Sequence, residues 1–130
     1  MSDAVADDGT YLLHIRECMR RVQDSTAGGK EAFWENLQAQ DAVLRNLQTL
    51  GESSQRLPKS LKDKRPEIDW RAIGSFRNIL VHDYLGVNLD EVWEIVTLDL
   101  PKLRVAILAL SAELGLPPEP PVRAHKEKLT

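Results

Sequence analysis

The chain has 130 residues, of which 42% are hydrophobic and 28% charged, and its formal charge is −3. That length suits one domain burying about two-thirds of its unfolded surface, and the acidic balance excludes a globally basic nucleic-acid coat, leaving only a local patch for any RNA contact. The single cysteine, Cys18, excludes an internal disulfide and fits packing in a reducing cytosol; the acidic start is no secretory signal, and the apolar stretch Val105–Leu114 is too short to cross a membrane. A cytoplasmic protein is expected.

Hydrophobic spacing predicts an all-α domain over residues 9–115, between a flexible acidic N-terminus (1–8) and a Pro-rich charged tail (116–130). A first helix is expected from about Gly9 to Thr26, with Leu12, Ile15, Met19 and Val22 on one face and a stop at Gly28-Gly29. A second should run from Lys30 to Arg56, placing Phe33, Leu37, Leu44, Leu47 and Leu50 on its apolar stripe, with its last turns weakened by Gly51 and Ser53-Ser54. A basic connector follows, with a short helical turn around Ser60–Asp63. Asp69 then reads as the N-cap of a third helix that begins with Trp70 and Ile73 and ends at Gly86. Asn88 and Glu91 open a fourth in a capping-box arrangement, with Val92, Val96, Leu103, Ile107, Leu110 and Leu114 at helical spacing and a kink or break expected near Pro101. Beyond Gly115, Leu116–Pro121 favours an extended polyproline conformation.

The residue types with the most chemistry lie in Arg77-Asn78-Ile79-Leu80-Val81-His82-Asp83-Tyr84. Arg77 offers a planar charged fork for phosphate oxygens, His82 titrates near neutral pH, and Tyr84 adds a hydroxyl on a stacking surface. On one straight helix Arg77 and Tyr84 lie within about 20° of each other, whereas His82 is about 140° from Arg77. One helix therefore cannot aim all three at a point, and a shared site needs a groove along the helix edge or a second copy of the chain. Asn78, four residues before His82, can orient the imidazole.

A local basic patch precedes this segment: Arg56, Lys59, Lys62, Lys64, Arg65 and Arg71 against Asp63, Glu67 and Asp69. It reads equally as a solvated surface and as a strand-binding face. Arg45 is four residues from Asp41 and reads first as half of a surface ion pair, second as a cleft residue for substrate. His14 and Cys18 share a helix face but lack carboxylate company, so no metal site is expected. The sequence has no phosphate-cradling Gly-rich loop, no cysteine pair and no nucleophile elbow, and no cofactor is implied.

Arg77-x4-His82-x-Tyr84 resembles the signature of HEPN-domain ribonucleases, in particular the HepT toxin branch. Further matching blocks are Arg45-Asn46-Leu47, Leu50-Gly51-Glu52, Leu57-Pro58, Ile68–Ile73, Val92-Trp93 and Leu100–Leu103, so the resemblance spans roughly residues 10 to 112. It implies an antiparallel bundle of four to five helices that forms a homodimer and joins two copies of the motif in one cleft, with metal-independent cleavage of RNA, tRNA among the candidates, by attack of a ribose 2′-hydroxyl. His82 would be the general base or acid and Arg77 the stabiliser of phosphorane-like charge, with Asn78, Tyr84, Arg71 and Arg45 contacting substrate. It also implies the toxin of a type VII-like toxin-antitoxin pair, neutralised when a partner nucleotidyltransferase antitoxin attaches AMP to Tyr84. A non-catalytic HEPN module that binds nucleotide beside a nucleotidyltransferase is the alternative.

Overall fold

A computed structural model describes residues 2–78 and 88–120, with side chains from Asp7 onward, and every regular element among them is helical. In chain order these are α1 (Ser2–Thr26), α2 (Lys30–Trp34), α3 (Leu37–Gln55), α4 (Lys59–Lys62), α5 (Trp70–Gly74), α6 (Leu89–Glu94), a π-helical turn (Ile95–Asp99) and α7 (Leu100–Glu113). The architecture is thus all-α, as the periodicity requires. The expected termination at Gly86 lies outside the described residues.

The core forms where α1 packs along α3 on one side and α7 on the other. Leu12, Ile15, Met19 and Val22, the predicted stripe of α1, are fully buried with Val43, Leu47 and Leu50 of α3 and Leu103, Ile107 and Leu110 of α7. Each such side chain contributes about 1.5–3 kcal/mol on leaving water. Cys18 is buried among them, which bears out its packing role. No helix among the described residues is long and apolar enough to cross a membrane.

Three boundaries differ from the sequence expectation. The first helix begins at Ser2, not Gly9. Gly9 is buried within it because Leu116 crosses the helix there, 3.1 Å from where a Cβ would stand.

The second helix is two helices. Asn36 breaks it, accepting the Ala39 N–H with its side chain as N-cap of α3, while the Gln40 amide donates to the carbonyls of Phe33 and Trp34 at 3.0 and 3.1 Å. Both freed helix ends are thereby satisfied. Phe33, Trp34 and Trp93 form a ring cluster that anchors α2 to α6. One consequence is that Leu37, expected in the core, is 70% exposed, while the buried position falls to Val43.

The third helix is interrupted at Ser75, whose hydroxyl donates to the Ala72 carbonyl at 2.6 Å; residues 76–78 resume a helical path. Asp69 does cap the start, accepting the Ala72 N–H at 3.1 Å. Asn88 likewise caps α6, accepting from the N–H groups of Asp90 and Glu91.

The interruption expected near Pro101 takes the form of a π-turn over Ile95–Asp99, after which α7 carries the proline ring in its first turn. The wider turn inserts a residue into the period, which brings Ile95 and Leu100 inward alongside Val92 and Leu103. Gly115, at φ +71°, closes α7: its N–H reaches the Ala112 carbonyl and that of Leu116 reaches Ser111, both at 3.0 Å. The tail then folds back. Arg16, buried on α1, donates to the Pro117 carbonyl at 2.7 Å, and Arg104 pairs with Glu119.

Gly51 is the tightest crossing. A Cβ there would lie 3.0 Å from the Arg77 nitrogen and the Ile73 carbonyl and 3.1 Å from the Gly74 carbonyl, all backbone atoms that cannot rotate away. Gly51→Ala should therefore lower stability by about 1–3 kcal/mol despite the better helix propensity of alanine. Urea unfolding of the variant checks this, and unchanged or increased stability would contradict so close an approach.

Candidate functional site

Arg77 and Asn78 follow directly from that crossing. Phe76 is buried beneath them, and the Asn78 N–H reaches the Ser75 carbonyl at 2.8 Å, so a tight turn presents both side chains to solvent. The break at Ser75 leaves the Gly74 carbonyl without a helical donor, and the Gln55 amide of α3 takes it at 3.3 Å. The start of the motif is thus tied to α3 on two sides, by the Gly51 contact and by Gln55. His82 and Tyr84 lie outside the described residues.

The basic connector divides into neutralised and available charges. Lys59 pairs with Asp63 at 2.8 Å, Lys64 with Glu113 at 3.0 Å and Arg65 with Glu67 at 2.7 Å. Arg56 lies over the Tyr11 ring, 6.0 Å from its centroid. Lys62 is half-buried, and loss of hydration lowers its ammonium below the ordinary lysine value. Arg71 and Arg77 are exposed and have no carboxylate partner among the described residues. An anion meeting this surface finds two unneutralised guanidinium groups six positions apart. Trp70 fixes the connector against α5, its indole N–H donating to the carbonyls of Lys62 and Arg65 at 3.1 and 3.2 Å.

Arg45 stands elsewhere. Its expected ion pair with Asp41 is not among those formed by the described residues. Instead, Arg45 lines a cavity of about 280 Å³ between α1 and α3, together with His14, Glu17, Cys18, Arg21, Asn46 and Thr49. None of Arg71, Arg77 or Asn78 lines it.

Sequence reasoning treated His14 and Cys18 only as a weak metal pair and missed the cavity, because four of its seven residues belong to a different helix-face pattern from the three supplied by α3. Among the described residues no three His, Cys, Asp or Glu side chains come together as a metal-ligand cluster. Burial pushes the Cys18 thiol up to about 11, so it carries no thiolate near neutral pH.

Glu17 is the electrostatic hinge of this cavity. Its carboxylate accepts two bonds from Arg20, at 2.6 and 3.0 Å, and one from the Arg21 Nε at 2.9 Å. The Arg20 hydrogen bond, with that of Arg21, holds the carboxyl down to about 2 against a normal 4.5. A depressed folded-state value stabilises the fold above the unfolded pKa and ceases to do so as pH falls through the folded one. Glu17→Gln should therefore destabilise the protein at pH 7, by under about 1 kcal/mol because the pair is solvent-screened. The difference should shrink between pH 4.5 and 2, as followed by thermal unfolding across that range; a difference that persists below pH 2 would remove the electrostatic explanation.

The family description Ribonuclease HepT-like matches residues 15–110. A Thermococcus cleftensis protein named "Probable ribonuclease HepT" is 34% identical over 98 residues, covering 72% of this chain and 86% of its own. A Methanocaldococcus jannaschii protein named "Gamma-glutamylcyclotransferase and putative RNase" is 36% identical over 105 residues, or 80% of this chain; the match spans about half, 47%, of that longer protein. A relative from Caldanaerobacter subterraneus subsp. tengcongensis, named as a "Putative RNase", is 32% identical over 94 residues, 72% of this chain and 84% of its own. No solved structure matches the chain.

Proposed function

The chain belongs to the HepT-like ribonuclease family, and from that premise we propose that it is a metal-independent endoribonuclease whose reaction centres on Arg77 and His82. The observation that carries this reading is the state of Arg77: an exposed guanidinium, free of carboxylates among the described residues, on a backbone fixed against Gly51. A group held in this way is pre-positioned for a phosphate, and its charge is not spent within the protein.

Cleavage needs no external nucleophile. The ribose 2′-hydroxyl attacks the adjacent phosphorus, its proton passing to a base while the P–O5′ bond breaks and the 5′ oxygen takes a proton from an acid. The products are a 2′,3′-cyclic phosphate and a free 5′-hydroxyl. His82 serves as base or acid, and two copies in a homodimer divide the roles. Arg77 neutralises charge on the phosphorane-like transition state, Asn78 orients His82 or a phosphate oxygen, and Arg71 holds the neighbouring strand. A second copy answers the angular problem, since a twofold axis brings residues from a different helix to face the first.

Regulation follows in the same proposal. The protein acts as the toxin of a toxin-antitoxin pair, and a nucleotidyltransferase antitoxin transfers AMP from ATP to the Tyr84 hydroxyl, the α-phosphorus gaining the tyrosyl oxygen as its bond to pyrophosphate breaks. The added phosphate and adenine would compete with RNA by charge and by volume; tRNA is the first substrate to test.

The decisive assay is RNA cleavage in excess chelator. Wild-type protein should leave 2′,3′-cyclic phosphate ends, and folded, dimeric His82→Ala and Arg77→Ala proteins should each lose about 10²-fold or more in rate. Failure of the unmodified protein to cut any of a broad RNA panel, tRNA included, would leave a nucleotide-binding module in place of the enzyme.

A further inference from the structure

The cavity between α1 and α3 is lined by none of Arg71, Arg77 and Asn78, and among the described residues the Arg45 guanidinium and the terminal nitrogens of Arg21 in it have no structural partner. One wall is a single stripe of α1, His14, Glu17, Cys18 and Arg21; the other is Arg45, Asn46 and Thr49 of α3. On the α3 wall the Asn46 amide donates to the Ala42 carbonyl at 2.8 Å and the Thr49 hydroxyl to the Arg45 carbonyl at 3.1 Å, so both side chains are already tied to their own helix. The Arg45 guanidinium has no such tie among the described residues. On the α1 wall Glu17 takes only the Nε of Arg21, leaving both terminal nitrogens of that guanidinium uncommitted.

Charge follows the same pattern. Glu17 is the one carboxylate lining the cavity, and it is shared with Arg20, which lies outside the lining. Arg21 and Arg45 therefore leave a positive excess in a concave space. Its volume of about 280 Å³ is near the lower end for small-ligand sites.

We propose that this cleft is a second phosphate-binding site, in which Arg21 and Arg45 grip one phosphate group from opposite helices and His14 stands at the exposed end. The ligand is a phosphate carried on a nucleotide, either a free mononucleotide or a residue of an RNA strand. The site does not depend on catalysis at His82. Arginine suits it because the planar fork meets two phosphate oxygens at once.

The test uses full-length His82→Ala protein, so that RNA is not consumed, and follows the Arg21 and Arg45 Nε–H signals by nitrogen-15 NMR. The probes are AMP and a 2′-O-methyl RNA hexanucleotide, which has no 2′-hydroxyl to attack. Saturable shifts of both signals are expected, with affinity weakened about tenfold or more in Arg45→Gln and in Arg21→Gln. Arg45→Lys should retain part of the affinity, since it keeps the charge and loses the fork. Saturation by AMP identifies a mononucleotide site, and saturation by the hexanucleotide alone identifies a strand contact.

Shifts that grow linearly with either probe, or that survive both Gln substitutions, overturn the proposal. The two functional readings separate cleanly. A silent cleft in a protein whose wild-type form cuts RNA defeats the second site alone, whereas a saturable cleft in a protein that never cuts RNA defeats the ribonuclease reading alone.

Discussion

The contact between Gly51 and the backbone at Ile73, Gly74 and Arg77 is the constraint on which the candidate site depends. Two backbone segments meet there at a separation that accommodates hydrogen and would crowd a Cβ. Such a crossing is stiff, because every atom on the opposing side belongs to the main chain and cannot change rotamer. Gln55, one turn further along α3, accommodates the consequence by donating to the carbonyl that the break at Ser75 sets free. The position of Arg77 is thus set by α3, an element whose buried face is otherwise occupied with α1.

Around this anchor the fold distributes its cations unevenly. Lys59, Lys64 and Arg65 are committed to carboxylates, and Arg56 lies over an aromatic ring. Arg71 and Arg77 on one surface, and Arg45 with the outer nitrogens of Arg21 in the α1–α3 cleft, remain unmatched among the described residues. A protein with net charge −3 can therefore still present two places attractive to phosphate. Lys64 serves the fold, tying the connector to the end of α7.

Much of this was legible in the chain. The stripe Leu12, Ile15, Met19, Val22 is buried as its spacing requires, Asp69 and Asn88 cap the helices they precede, and Gly115 terminates α7 with the left-handed residue that a helix end favours. Caps and amphipathic stripes are local, satisfied by atoms within about one turn, so sequence alone carries them. The resemblance carried by Arg77-x4-His82-x-Tyr84 and its flanking blocks agrees with the family match over residues 15–110. The break at Asn36 was not visible, because the amide of Gln40 and the Phe33–Trp34–Trp93 cluster, not a helix-breaking residue, make it stable.

By itself, then, the sequence determined the helical class, the caps, most of the core stripe and the identity of the motif, all properties written in near-neighbour spacing. Tertiary structure alone decided that Gly51 is a crossing point where sequence suggested a weakened turn, that a π-turn absorbs Pro101 and turns Ile95 inward, and that Leu116–Pro120 lies back on α1 through Arg16 and α7 through Arg104. It also decided which arginines are spoken for. Pairing partners for Lys64 and Arg104 lie 49 and 15 residues away, and no local pattern encodes a contact whose geometry depends on how separate helices meet.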